Sequence, residues 1–505
     1  MHTVTRMLAL LLALGSFWTV FAQTRPGPAN RHLLIVLDGL RPDYVTPALM
    51  PKLHALGQRG VVFEQHHSVF PTVTRVNASS ISTGAYPAAH GLMGNSVFFP
   101  AVDAAKFLDT SDRANLLAIL KSENGRLLTA PTLGETLQAA GQRLLVVSAG
   151  STGSAFLLNH TVAGGAILHP DFGLPETLHR EMVASLGAPP ASGTPNDARN
   201  RYVVDAFLRL GIAKVDPTVT LMWLGDPDGT AHELGIGHPT TIEALRRLDV
   251  EIGRIEDGLS AAGLLERYNI WVTSDHGFST HTGGVDLGAL LKPIAGEVRA
   301  TGAGAIYLRD AKGAALPAAV ALLQKTPGVG AIFTRAAVPA GFEGHVAGTL
   351  SFDAAHWTHA RSADILFSPD WTDAKNQYGW PGTTASGGVA GHGSASPFDV
   401  HNTLVAAGPD LKQKVIVRTP TGNVDFAPTF LSRLQVAVPA SMEGRVLAEA
   451  LKDGPEPASV SVRPGGRTAR SADGNYSVTA HFSTVEAGEA RYRYFDYASV
   501  VRAPK

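Results

Sequence analysis

The sequence predicts an α/β protein whose main body is a doubly wound, mainly parallel sheet with helices on both faces. Three observations predict it. Short continuous apolar runs recur along the chain, as strands buried on both faces require. Segments with apolar residues at helical spacing separate them. Aspartates and histidines follow the ends of several runs, where the loops and helix N-termini of an open parallel sheet converge on ligands.

The chain of 505 residues opens on a short basic stretch closed by Arg6, then an apolar core from Met7 to Leu14, resumed from Phe17 to Phe21. With Val20-Phe21-Ala22 ahead of Gln23, this predicts a signal peptide over residues 1–22, cleaved before Gln23, and a periplasmic or secreted product. Gly15 and Ser16 interrupt the stretch and leave it short for a span, and no later segment has about 18 uninterrupted apolar residues, so no membrane anchor is expected after cleavage. With no cysteine there is no disulfide, lipoprotein attachment or thiolate metal site, and any metal must be held by His, Asp and Glu. A net charge of -1 and a pI near 7.1, without a basic stripe, give no reason to expect nucleic acid or anionic membrane as the main partner.

Strands are expected at Leu33 to Leu37, Arg143 to Val147, Val219 to Leu224, Ile270 to Thr273 and Leu404 to Ala407. Helices are expected at Pro51 to Gly60, Thr132 to Gly141, Ala198 to Leu210 and Thr241 to Gly263; in the last, Ile242, Leu245, Leu248, Ile252, Ile255 and Leu259 form one apolar stripe. Residues 30–284 and 386–451 thus read as the core. Residues 285–385, with mixed strand-like runs and one helix, read as an inserted α+β subdomain, and 452–505 as a linker to Gly474 followed by a C-terminal β-hairpin around Glu486 to Glu489.

The stretch from Phe70 to Asn95 passes from an apolar run through Pro71 to a helix start at Thr74, followed by Arg75. A threonine there ordinarily caps a helix, but its hydroxyl also faces unpaired N–H groups, an anion site. Asp38, Asp228 with His232, Asp275 with His276, and His392 fall near the ends of predicted strands. Each alone reads as a turn or cap residue. Together they supply three carboxylates and three imidazoles, enough for two divalent cations that clamp an in-line displacement at phosphorus. His66-His67 read as packing or surface residues, and Phe98 and Phe99 as core. His281 is a weaker candidate to support the metal ligands, and Tyr492, Tyr494 and Tyr497 are expected to pack the hairpin on the main sheet.

The segments Asp38-Gly39-Leu40-Arg41-Pro42-Asp43-Tyr44, Phe70-Pro71-Thr72-Val73-Thr74, Ser82-Thr83-Gly84, Asp228-Gly229-Thr230-Ala231-His232, Ser274-Asp275-His276-Gly277 and Gly391-His392-Gly393 resemble the alkaline phosphatase superfamily. The likeness is greatest to its nucleotide pyrophosphatase/phosphodiesterase (type I phosphodiesterase) branch and runs from about His32 to Leu451. It implies an exported hydrolase of phosphodiester or pyrophosphate bonds in small-molecule or nucleotide substrates. It also implies two Zn2+ ions, one on Asp38, Asp275 and His276 and touching Thr74, the other on Asp228, His232 and His392. Thr74 would be the nucleophile, passing through a phospho-threonine, and Asn95 with the Thr74 N–H would steady a phosphate oxygen. The branch often has a base-stacking aromatic residue directly after the nucleophile; here Arg75 stands there, able to bind phosphate or stack on a base. Monoesterase relatives carry a Lys-x-Arg pair in the stretch resembling Val146 to Asn159, whereas Ser148 to Ser154 holds no basic residue, which favours diesters. Sulfatase-type chemistry needs a modified Cys or Ser at the position of Thr74 and is excluded. A phosphomonoesterase or phosphonoacetate-type hydrolase is the nearest alternative; a non-catalytic zinc-binding scaffold has no need of Thr74.

Overall fold

The computed structural model describes residues 29–503, so the segment read as a signal peptide lies outside the described residues. No helix among them is long and apolar enough to cross a membrane. The central sheet has nine strands. In chain order they are β1 (Arg31–Leu37), β2 (Val61–Phe63), β3 (Leu144–Ser148), β4 (Ala166–His169), β5 (Phe172–Leu174), β6 (Val219–Leu224), β7 (Tyr268–Thr273), β8 (Leu404–Ala407) and β9 (Val415–Val417). Across the sheet they run β9-β2-β8-β7-β1-β6-β3-β4-β5. The five strands from β7 to β4 are parallel, β8 runs antiparallel between β7 and β2, and β5 closes the far edge antiparallel to β4.

Burial on both faces is visible within one strand. Leu33 to Leu37 are at most 1% exposed. Leu34 and Val36 point into one apolar cluster with Trp223, Trp271 and Phe430, while Leu33, Ile35 and Leu37 point into another with Leu248 and Ile252. The two-residue period of a strand thus distributes a continuous apolar run over two helical layers. The helix Pro239–Ala261 buries Leu245, Leu248, Ile252, Ile255 and Leu259, with Ile242 only partly covered. The helix Leu133–Ala139 starts at a capping box in which Thr132 Oγ1 accepts from the Glu135 N–H and Glu135 accepts from the Thr132 N–H.

A second, five-stranded sheet lies between residues 298 and 369, its core built on Ile306, Ile332, Phe333 and Ile365 with Leu316, Val320 and Leu323 of the helix Ala315–Lys325. The strands Trp371–Lys375 and Pro381–Thr384 do not join it. They form a four-stranded sheet with Ser279–His281 and Ala390–Gly391, so a cut at 284 and 385 divides one sheet between core and insert.

The C-terminal region differs from the expected linker and hairpin. Ser461–Arg470 is a strand paired along its whole length with Tyr476–Ala487, which pairs in turn with Ala490–Arg502. Pro464, Gly465 and Gly466 hide it in the sequence, and as an edge strand exposed along most of its length it needs no apolar alternation. The sheet packs chiefly on the insert, through Tyr476, Val478, Ala480, Phe495 and Ala498, rather than on the main sheet. Tyr494 alone of the three expected tyrosines is deeply buried, and its hydroxyl donates to Asp425 Oδ2 at 2.9 Å while accepting from Arg445 Nε at 3.0 Å. Arg445 also donates to both oxygens of Glu449, at 2.6 and 2.8 Å. Burial raises the Asp425 carboxyl to about 6, against the pull of Arg445.

Removing one side of this buried pair strands the other charge. Arg445→Ala is therefore expected to lower stability by about 3–5 kcal/mol, and Tyr494→Phe, which removes one neutral bridge, by about 1 kcal/mol. Thermal and denaturant melts compared with wild type check both; equal melts would show that the C-terminal sheet is not anchored through this cluster.

Candidate active site

The site residues meet at the carboxyl ends of β1, β6 and β7. Asp38 follows β1, Asp228 opens the short helix Asp228–Leu234, and Asp275-His276 follows β7. Gly39 makes the turn after Asp38 with φ +71°, which favours glycine, and a Cβ there would crowd Phe278 at 3.0 Å and Asp228 Cβ at 3.1 Å. Its N–H donates to Asp275 Oδ1 at 3.1 Å, and Trp223 Nε1 donates to Asp38 Oδ2 at 2.8 Å.

Thr74 is the first residue of the helix Thr74–Thr83, not its cap; Val73 is the capping residue, extended and without a side-chain bond. Thr74 is 4% exposed, and its hydroxyl lies 3.3 Å from His276 Nε2. Asn77 fixes the approach to it: Oδ1 accepts from Val69 N, and Nδ2 donates to the carbonyls of Val69 and Val73. Asn423 bridges Asn77 Oδ1 to the Asp275 carbonyl and is held by His66 Nε2 at 3.0 Å. His66 and His67 are both buried, His67 beside Asp496 at 3.0 Å, so they are packing residues and not surface ones.

Each cluster imidazole is oriented in the same way. The Nδ1 atoms of His232, His276 and His392 donate to the carbonyls of Ala390, Gly277 and Thr72 at 2.9, 2.9 and 2.8 Å. The Nε2 atoms face the carboxylates: His276 is 3.0 Å from Asp275 Oδ2, and His232 and His392 are 3.2 and 3.4 Å from Asp228 Oδ1. This backbone anchoring is how metal-binding imidazoles are commonly held. Asp38 Oδ1, Asp228 Oδ1 and Asp275 Oδ2 are buried with no hydrogen-bond partner. Three orphaned carboxylate oxygens facing three anchored imidazoles fit a divalent-cation centre. Two overlapping sets, Asp228/His232/His392 and Asp38/Asp228/His276, each bring ligand atoms within 4.8 Å of one another.

The electrostatics agree with that fit. Burial and the carboxylates of Asp275 and Asp228 raise the Asp38 carboxyl well above its ordinary value. Burial opposes the charge on Asp228, but His232 and His392 outweigh it and hold that carboxyl low. His232 and His276 are raised despite burial, by Asp228 and by Asp275 respectively, while burial and His276 push His392 well down.

Asn95 Oδ1 accepts from the Arg75 N–H at 3.0 Å, which leaves its amide NH2 for another partner. Arg75 reaches into a cavity of about 310 Å³ with Asp38, Thr74, Asp228, Ser151 and Thr152, and its Nε is buried without a partner. The same cavity is lined by Arg199 and Asp171, which sequence reading missed. Arg199 comes from the helix Asp197–Ala206, well beyond the Ser148 to Ser154 stretch, and donates to Asp171 Oδ2 at 2.6 Å. His281 donates to or accepts from no cluster residue; its Nδ1 meets the Gly387 carbonyl at 2.7 Å. It flanks His232 across Gly391, where a Cβ would lie 2.6 Å from His281 Cε1 and 3.0 Å from His232 Cε1. Phe98 and Phe99 are buried, Phe98 against Phe107 and Tyr307.

The nine-stranded, mainly parallel sheet with helices on both faces is the fold of the alkaline phosphatase superfamily. Within it, the chain belongs to the type I phosphodiesterase / nucleotide pyrophosphatase family, whose model matches residues 32–391. Human ectonucleotide pyrophosphatase/phosphodiesterase family member 7 is 26% identical over 277 residues, 55% of this chain and 53% of that protein. The human bis(5'-adenosyl)-triphosphatase ENPP4 is 25% identical over 277 residues, 54% of this chain and 53% of its own. The chain thus spans about half the length of these two curated relatives. Among solved structures, human ectonucleotide pyrophosphatase/phosphodiesterase 5 aligns with a TM-score of 0.62 at 19% identity, over 84% of this chain and all of that one. An inactive murine form of the same protein in complex with AMP aligns with a TM-score of 0.61 at 18% identity, again over 84% of this chain and 100% of that chain.

A cation binding here must displace the Nε2 protons of His232 and His276, both held above the ordinary 6.5. Affinity should therefore rise as pH rises through 6.5 and beyond, with protons released on binding. Calorimetric titration of chelator-treated protein with Zn2+ in buffers of different ionisation enthalpy measures this, and saturation at 100-fold over Kd should stabilise the fold by about 2.7 kcal/mol. Binding without proton release below pH 6.5 would contradict the ligand set.

Proposed function

We propose that the protein is an exported hydrolase of phosphodiester or pyrophosphate bonds that works through a phospho-threonine on Thr74. The observation that carries this reading is a buried Thr74 hydroxyl, free of any capping role, 3.3 Å from His276 Nε2 and beside three unpaired carboxylate oxygens. Asp38, Asp275 and His276 would hold one zinc ion and Asp228, His232 and His392 the other. Bound there, the two ions supply positive charge that lowers the threonine pKa and offsets charge on the leaving oxygen.

Thr74 Oγ, aligned by its helix and by the Asn77 brace, forms the bond to phosphorus as its hydroxyl proton passes to solvent. The ester bond opposite breaks with its electron pair on the departing oxygen. The Asn95 amide, fixed by Arg75 N, and the Thr74 N–H in the first helical turn donate to a non-bridging oxygen as charge builds there. Water then cleaves the phospho-threonine and restores the hydroxyl. Export rests on the N-terminal sequence pattern described above.

The substrate class follows from charge. Arg75 is a cation without a partner at Nε, whereas Arg199 is neutralised by Asp171. One available guanidinium suits a phosphate carrying a single negative charge. The names of the relatives, a bis(5'-adenosyl)-triphosphatase and a protein solved with AMP, support a nucleotide-type ester, although Arg75 replaces the stacking aromatic. Arg199 in the cavity favours a second reading, a phosphomonoesterase in which it turns from Asp171 to the substrate.

Thr74→Ala should keep zinc-dependent stabilisation yet lose about a thousandfold or more in kcat. Near wild-type turnover would return Thr74 to a structural role. Diesters should exceed monoesters of the same leaving group in kcat/KM by about tenfold or more, and Arg75→Ala should cost about tenfold or more with the most highly charged substrates. A higher kcat/KM for the monoester would select the second reading.

A further inference from the structure

A second cavity, of about 330 Å³, opens on the other side of the Thr74 segment, between the core loops and the inserted sheet. Val73 lines it, whereas Thr74 and Arg75 line the first, and the two cavities share no lining residue. Asn95 and His392 stand on its wall, so it adjoins two of the residues to which the proposed function gives the phosphate and a metal ion.

Its chemistry is unlike that of the Arg75 cavity. No Asp, Glu, Lys or Arg lines it, and its walls include Phe107, Tyr307, Trp357, Phe367, Met93 and Val97. The aromatic polar tips are already engaged: the Tyr307 hydroxyl donates to the Arg361 carbonyl at 3.1 Å, and Trp357 Nε1 donates to the Met93 carbonyl at 3.1 Å. These rings therefore present carbon to the cavity. Besides Asn95, Ser96, Ser386 and His392, no side chain on its wall offers a free polar atom, so a nucleobase would lose hydration at its polar edges for few partners, whereas an aryl or compact alkyl group needs none. The volume holds one ring with room to spare, at the small end of ligand pockets.

We infer that this cavity receives an uncharged, apolar ester group of the substrate, an aryl or compact alkyl alcohol, while the opposite phosphate oxygens face Arg75. The inference rests on the phosphodiesterase reading and narrows it to diesters with one apolar arm. Burial of that arm supplies affinity that the lost base-stacking residue does not, since apolar area removed from water contributes in proportion to its size.

The test is binding to zinc-loaded Thr74→Ala protein, read by calorimetry with diphenyl phosphate, dimethyl phosphate and adenosine monophosphate. Diphenyl phosphate should bind at least tenfold more tightly than dimethyl phosphate. Ala385→Leu, placed at the half-buried cavity wall, should erase most of that preference and leave dimethyl phosphate unchanged. Phe107→Ala, which removes a wall, should reduce it by severalfold and serves if the first variant does not fold. Equal binding of the two diesters, or a phenyl preference that survives both variants, overturns the assignment. So does adenosine monophosphate binding weakened as much as diphenyl phosphate by Ala385→Leu, which would make a nucleobase the occupant. A phenyl preference in a wild-type enzyme that cleaves no diester leaves the cavity assignment standing and removes the hydrolytic reading alone.

Discussion

Three carboxylates held within reach of one another in a buried place repel, and most of the architecture near the site opposes that repulsion. Trp223 donates to Asp38 and the Gly39 N–H to Asp275, and three imidazoles, each tied through Nδ1 to a backbone carbonyl, turn Nε2 inward. The donors satisfy one oxygen on Asp38 and one on Asp275 and leave the other free. A folded chain that left these oxygens unpaired for no purpose would carry a cost of several kcal/mol. The arrangement is understandable as a cradle for positive charge, with the Thr74 hydroxyl beside it, 3.3 Å from His276 Nε2.

Support for the cradle extends outward in layers. Asn77 fixes the turn before Thr74, Asn423 joins Asn77 to the Asp275 backbone, and His66 holds Asn423. His66 is pushed down to about 3 by burial, so it stays neutral and serves as a fixed hydrogen-bonding group. Thr74 is therefore placed by neutral side chains, which do not compete with the cluster for charge.

Much of this was legible in the sequence because the signals are local. A run such as Leu33 to Leu37 followed by Asp38-Gly39 announces a strand, its end and a carboxylate in seven residues. Residues brought together by the fold alone were not legible. Arg199 lies 45 residues beyond Ser154, on another helix, and nothing in its spacing points to the cavity it shares with Ser151. The strand Ser461–Arg470 has the sequence of a linker because an edge strand has little to bury, so its pattern carries no period. A cut at residue 385 divides a sheet for a related reason: Pro381–Thr384 pairs with Ser279–His281 about a hundred residues earlier, and pairing of that kind leaves no mark on composition.

The insert's core is shared with the end of the chain. Ile306, Phe333 and Ile365 pack in one cluster with Val478, Phe495 and Ala498. Every residue of the carboxylate–imidazole cluster precedes residue 393, but the apolar body behind Tyr307 and Phe367 is not complete until residue 498 has been made. Contacts so distant along the chain form late, after a large loop has closed. During folding the cradle for charge can assemble while the wall facing it is still unsupported, so the docking of the strands Tyr476–Ala487 and Ala490–Arg502 sets when the protein gains a shaped cleft.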